Sequence, residues 1–440
     1  MPTVSQNSSP RQEIGRPRTY RILIFAPAFA PFANPEAIVN SKLALAMLDA
    51  GWEIDVISRC LAGQSTYDYG SGWDAACAPL GSITHELPLG TGGVARRWWS
   101  TFQAFLAVRY PVAGMKWAAA AMRLGRLLHR RNAYDAVLSR AFPSSAHLAA
   151  MRFAQCAKIP WIANWNDPWE FMRRGGASDE LENQLRRIDA RFARCVARTA
   201  SWHTFPSDQL RQRMCDYLQG GADRRSSTIP HAAMLQPLPA DIPERSEFQI
   251  CYTGQITVDH RPEAFLRGFR RFVQSLSDPS IVKFVFVGLD RAGMCEQIAR
   301  LGLQPYFHFA GSLGYSATLA RAARSTISLL IDPPEAGGML LQSKFVDYVS
   351  IGRPILAVTS SASTVGEILR REGGGIVANC GDEQDIARAL RTLFDAWSQG
   401  SLDQHFGSRR LYPKYSPDSI IRLYQDIFAT LVGRRQGGAA

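Results

Sequence analysis

The sequence contains no run of 18 apolar residues, so it offers no stretch that would cross a membrane as a helix. HExxH, P-loop, GxSxG and GxGxxG patterns are all missing, which leaves zincin, P-loop, serine-hydrolase and dinucleotide chemistry without their signatures. No Asp-x-Asp pair is present to hold a metal-bound diphosphate, and no metal site is expected. The eight cysteines are scattered, with no CxxC and no Cys/His cluster. They read as free core thiols in a reducing cytoplasm. Residues 1–18 are polar and lack the apolar core of a secretory signal, so a cytoplasmic protein with a disordered N-terminal tail is expected. Acid is also in short supply: 38 Asp and Glu face 50 Lys and Arg, a formal charge of +12. Such a balance suits nucleic acid, an anionic membrane face or phosphorylated substrates. No helix-turn-helix, zinc-finger or RNP-like spacing supports nucleic acid, so no nucleic-acid partner is expected.

The remaining pattern is an alternation of short apolar runs and helical periods. Residues 20–26 (YRILIFA), 52–58 (WEIDVIS), 134–140 (YDAVLSR) and 159–164 (IPWIAN) have the composition of buried parallel strands. Residues 36–50 form the helical link of a first βαβ unit, stopped by Gly51. Residues 201–205 read as the last strand of this half. Residues 224–246, with four prolines, read as a linker. The second half repeats the alternation at 248–253, 282–288, 307–311, 326–331 and 355–358. The fold class expected is α/β, with two doubly wound Rossmann-like domains facing a cleft.

Residues 87–134 contain no acid but eight Lys or Arg, interleaved with Trp98, Trp99, Phe102, Phe105 and Trp117. Rings at a headgroup boundary with cations toward anionic lipid make an interfacial helix. A pair of core helices with basic outer faces would have the same composition. The membrane reading assigns Arg96, Arg97, Trp98, Trp99 and Trp117 to the surface.

Residues 341–358 (LQSKFVDYVSIGRPILAV) are a short helix, a glycine stop and a strand. Gly352 falls where a left-handed cap is expected, and Pro354 prevents resumption. The helix opens on Ser343 and Lys344, where unpaired N–H groups and a full charge would meet an anion. Asp347 lies one turn on, placed to accept hydroxyls. An ordinary helix start would use the same three residues.

The pattern SK-x-x-[DE]-Y followed by G-x-P-I resembles the donor helix of GT-B glycosyltransferases, specifically the family-4 retaining enzymes. The order of strand, S-x-x-P-x-S-A-H, helix, I-P-W, strand and D-P-W around residues 134–169 resembles a subgroup that builds bacterial surface polysaccharides. The resemblance spans about residues 20–431. It implies an acceptor-binding domain over 19–223, the linker 224–246 and a nucleotide-sugar domain over 247–413. A C-terminal helix at 414–433 would cross back onto the first domain. It implies that Asp347 holds a ribose and that the helix start faces a diphosphate. Arg261 and Lys344 would neutralise the departing phosphate, and Asp167 would orient or deprotonate the acceptor hydroxyl. Gly254, Gln255, Gly288, Gly311, Gly337, Gly338 and Ser343 would complete the donor site. His147, inside a helical pattern, reads as packed.

Three departures stand out. The family's glycine pair in the first loop is replaced by PFANPEA, its phosphate-binding Arg by Gln255, and its first paired acid by Met339, with Glu335 the nearest carboxylate. The activity implied is metal-independent transfer, with retention, from a nucleotide diphosphate sugar to a lipid-linked or polysaccharide acceptor. The nucleotide sugar is a co-substrate and no further cofactor is expected. The expected location is the inner face of the cytoplasmic membrane. A nucleotide-sugar 2-epimerase and a catalytically degenerate scaffold on the same fold are the alternatives.

Overall fold

The computed structural model describes residues 19–32, 34–60, 74–88, 94–141, 143–169, 179–234, 246–332 and 338–437. Gly337 and Glu335 lie outside them, as do residues 1–18.

The N-terminal domain is built on a seven-stranded parallel sheet. Its strands are β1 (Arg21–Phe25), β2 (Glu53–Arg59), β3 (Thr84–Leu87), β4 (Ala136–Ala141), β5 (Trp161–Trp165), β6 (Trp202–Phe205) and β7 (Ser226–Thr228), in the order β3-β2-β1-β4-β5-β6-β7. The central strands β4 and β5 are buried at every residue, because helices cover both faces. That double cover is why they read as unbroken apolar runs. The strand β7 corrects the expectation that residues 201–205 close the sheet and that a linker starts at 224. Thr204 pairs with Ser227, and Phe205 with Thr228. A three-residue polar edge strand has no apolar signature to find.

The C-terminal domain carries β8 (Phe248–Thr253), β9 (Ile256–Thr257), β10 (Val282–Val287), β11 (Asp290–Arg291), β12 (Phe307–Gly311), β13 (Ile327–Ile331), β14 (Ile355–Thr359) and β15 (Gly375–Asn379). Six of them form a parallel sheet, β12-β10-β8-β13-β14-β15, while β9 and β11 make a small ribbon beside it. The fold class is thus as expected, two parallel-sheet Rossmann-like domains.

The last helix, Pro417–Gly437, lies on the N-terminal domain. Phe428 packs against Tyr20 and Trp52, with ring centroids 5.4 and 5.3 Å apart, and Tyr424 accepts a hydrogen bond from Arg140. The domains also meet where Ser207, the N-cap of the Asp208–Tyr217 helix, donates to the Met339 carbonyl at 2.6 Å. The Met339 side chain packs against the N-terminal core. An apolar contact between domains therefore occupies the position where an acid was sought.

Two expectations need correction here. Trp117 is 6 % exposed and donates its indole N–H to the Ser58 carbonyl, so it belongs to the core. Trp98 and Trp99, on the Val94–Val108 helix, are 74 % and 62 % exposed. Arg96 and Arg97 lie on that same helix. The cysteines are free, but Cys156 and Cys295 are exposed rather than core residues.

Candidate functional site

A cleft of about 610 Å³ runs between the two domains. It opens at the carboxyl ends of the central strands, where open α/β sheets place their ligands.

Backbone forms much of the C-terminal wall. Gly254 leaves β8 with φ +96° and Gly288 leaves β10 with φ +146°. A Cβ on Gly288 would lie 1.9 Å from the Gly254 carbonyl oxygen. A side chain at Gly288 would block this approach, and the positive φ at Gly254 favours glycine there. Behind them the Ser343–Ile351 helix begins after Gln342 and ends on Gly352 in the left-handed region, φ +81°. Ser343 and Lys344 both line the cleft. Lys344 donates from Nζ to the Tyr252 hydroxyl at 2.8 Å and rests 4.2 Å from that ring's centroid. Burial pulls its pKa down to about 8, against the pull of Asp332 upward.

His260 lines this wall and Arg261 does not. Arg261 is exposed, in the left-handed region at φ 44°. The short turn Val258–His260 rotates the chain so that the histidine faces inward. Its Nδ1 accepts the Thr257 backbone N–H at 3.2 Å, so the ring's proton belongs on Nε2. Burial, then Lys344, push its pKa down to about 4. The result is a neutral N–H donor where a second cation was expected.

Asp347 is buried and is committed to the opposite domain. Its Oδ1 takes the Lys42 ammonium at 2.7 Å and the Tyr315 hydroxyl at 2.6 Å. Lys42 and Asp347 side chains are 4 % and 9 % exposed. Asp347 still lines the cleft, but a ribose would share it with an interdomain ion pair.

The N-terminal wall is side chain rather than backbone. Asn34 caps the Pro35–Asp49 helix through Ala37 N–H. Glu36 follows, with Asn166 Nδ2 within 2.7 and 2.9 Å of its two oxygens. Asp167 is next in the chain, just past β5. Burial pushes the Asp167 carboxyl up to about 6. Burial and the Asp167 charge push Glu36 up to about 7, against Arg140, which pulls it down. His231 also lines the cleft, and burial holds it well below its ordinary value.

The structure therefore brings Asp167, Gly254, Gln255, Gly288, Ser343, Lys344 and Asp347 into one cleft. It leaves Arg261, Gly311 and Gly338 off the lining. Gly311 instead accepts the Gly288 N–H, and Gly338, at φ +70°, abuts Ser363. Glu36, Lys42 and His260 are functional candidates that motif reading passed over. Glu36 had a signal, since it stands in the first turn of the helix that follows the first strand of an open sheet. His147 is packed, as expected, against Trp161, Trp165 and Trp169 and bonded to Ser139. Among the described residues no three His, Cys, Asp or Glu come together to hold a metal ion.

Paired parallel-sheet domains around this cleft define the GT-B architecture. Solved structures with that fold match almost the whole chain. HepE of Anabaena in complex with UDP and glucose matches at TM-score 0.62 and 14 % identity, over 94 % of this chain and 100 % of that one. A glycosyltransferase from Rickettsia africae matches at TM-score 0.61 and 10 % identity, over 94 % and 99 %. A putative UDP-N-acetylglucosamine 2-epimerase from Listeria monocytogenes matches at 0.57 and 11 %, over 94 % and 97 %. No curated protein sequence matches the chain. Residues 247–396, the C-terminal domain, match the family model of the group 1 glycosyl transferases. The chain thus carries a group 1 glycosyltransferase domain and is an enzyme of the glycosyltransferase class.

Proposed function

We propose that the enzyme transfers a sugar, with retention, from a nucleotide diphosphate donor to a lipid-linked or polysaccharide acceptor. The observation that carries this reading is Lys344 at the start of the Ser343–Ile351 helix, in the cleft and 3.8 Å from where a Gly254 side chain would begin. The diphosphate would lie against the glycine loops, with the helix start, Lys344 and the His260 N–H as its donors. Asp347 would offer a ribose hydroxyl the oxygen that Lys42 and Tyr315 leave. The bond from the sugar's C1 to the diphosphate breaks, and a bond from C1 to the acceptor oxygen forms on the same face. The acceptor's proton leaves with the diphosphate, and Asp167 orients that hydroxyl. These charges are supplied by the chain itself, so the reading calls for no cofactor beyond the donor.

The exposed face of the Val94–Val108 helix supports a lipid-linked acceptor. Trp98, Trp99, Phe102, Phe105 and Leu106 are exposed together, within the acid-free stretch. Such a face would seat the enzyme on an anionic membrane surface, at its cytoplasmic side. No helix among the described residues is long and apolar enough to cross a membrane.

The first test is a melting panel with UDP, GDP, ADP, CMP and dTDP, then their sugars. A binder at 100 times its Kd should stabilise by about 2.7 kcal/mol. One nucleotide should raise the melting temperature, with its sugar doing the same. No shift with any of them would overturn the donor site. HepE is described with UDP bound, which makes UDP the first ligand to try.

A further inference from the structure

The resemblance provides one acid for the acceptor side, Asp167. The N-terminal wall of the cleft holds two among its described residues. Glu36 is not the helix cap, because Asn34 already fills that role. Nor, among the described residues, is it paired with a cation: its polar partners there are Asn166, on both oxygens, and Asn40 at 3.2 Å. Asn40 is itself held by Arg140 at 2.6 Å and by the Ala28 carbonyl at 2.8 Å. This amide frame grips the carboxyl without satisfying its charge, and leaves it lining the cleft beside Asp167.

We propose that Glu36 and Asp167 together form a two-carboxyl site that recognises adjacent hydroxyls of a neutral acceptor sugar and excludes an anionic one. The proposal rests on the transferase reading above. Two enclosed carboxyls near one another resist ionising together, so the pair keeps a proton that bulk water would take. One member then donates a hydrogen bond and the other accepts, which is the complement of a hydroxyl. Among the described residues of that wall, a phosphate or uronate would meet a carboxylate with no free cation. Arg140 faces Glu36 but is turned to Asn40 and Tyr424, and Lys42 is bound to Asp347. His231 is held neutral. Lys344 and His260 stand on the opposite wall, with the donor loops.

The pair can be tested without knowing the acceptor. In carboxyl carbon NMR, the resonance missing from Glu36→Gln identifies Glu36. It should titrate well above ordinary glutamates, and Asp167→Asn should lower its midpoint. A midpoint indifferent to Asp167→Asn would overturn the pairing. Recognition is tested by saturation-transfer NMR on the UDP-loaded protein with octyl β-glucoside and octyl β-glucuronide. The glucoside should show contact, weakened at least tenfold in Glu36→Gln, while UDP affinity stays within twofold. The glucuronide should show none. Contact by the glucuronide, no contact by the glucoside, or an indifferent Glu36→Gln would each overturn the recognition claim. Failure of UDP and the other nucleotides to bind wild type would instead remove the transferase reading, while the titration would still judge the carboxyl pair.

Discussion

The two walls of the cleft are made of different materials. On the C-terminal side the groups that count are backbone: glycine loops in contact through main-chain atoms and the open end of a helix, with one lysine. On the N-terminal side they are side chains: Glu36 in an amide frame, with Asp167 beside it. A backbone wall fits an anion whose oxygens need many donors and little discrimination. A carboxyl wall fits hydroxyls, where identity depends on which oxygen is protonated. Outside the Lys42–Asp347 ion pair, charge follows the same division, with Lys344 on one side and Glu36 and Asp167 on the other.

A buried ion pair joins the two walls, and breaking it should have the largest effect. Lys42→Met would leave Asp347 buried without its counter-ion. A loss of about 3–5 kcal/mol is expected, read as a fall in melting temperature. Lys42→Met with Asp347→Leu should recover most of it, because an apolar pair removes the uncompensated charge. Lys344→Ala tests the backbone wall alone. Turnover of the donor should fall about a hundred- to a thousand-fold, as for removal of one charge-stabilising donor, while the Glu36 titration stays in place. Gly288→Ala should follow, weakening UDP binding at least tenfold in calorimetry, because its Cβ must push the Gly254 loop away.

The fourth prediction concerns pH and belongs to the carboxyl wall. Glu36 has a folded pKa of about 7, above the usual carboxylate range, so the folded state holds this proton where the unfolded chain has released it. Stability from Glu36 is therefore lost as pH rises between roughly 4.5 and 7. His203 and His260, pushed down to about 4, act oppositely, since the unfolded chain takes up their protons first as pH falls. The difference between wild type and Glu36→Gln isolates the carboxylate: wild type should lose stability relative to the variant across that window, seen in melting curves at stepped pH. The smallest effect on stability is expected from Trp98→Ser with Trp99→Ser, within about 0.5 kcal/mol for each exposed position. Co-sedimentation with anionic vesicles should nevertheless fall. Unchanged sedimentation would remove the membrane role from this helix.

The same contrast explains what could be read from the chain. The Ser343–Ile351 helix, Gly352 and the strand exits at Gly254 and Gly288 were legible because backbone geometry is specified by residues close in sequence. The carboxyl wall was only half legible. Asp167 follows a strand and precedes Pro168, a local pattern, whereas Glu36 gains its frame from Asn166, 130 positions away. Lys42 meets Asp347 across 305 positions, which no local pattern encodes. Arg261 was misplaced by a single residue, because a short turn aims the chain at His260. Trp98, Trp99 and Trp117 looked alike in an acid-free stretch. Tertiary neighbours alone separated them, putting Trp117 under the sheet and leaving the other two outside.

The returning C-terminal helix has a consequence for how the molecule is made. The ring that covers Tyr20 and Trp52, Phe428, is translated only after both domains. The N-terminal domain thus waits for the C-terminal domain to be translated before this part of its surface is closed. A prematurely terminated product would expose an aromatic face over otherwise intact sheets, a shape suited to capture by chaperones and proteases. Arrival of this helix would then act as a quality check on the domains before it.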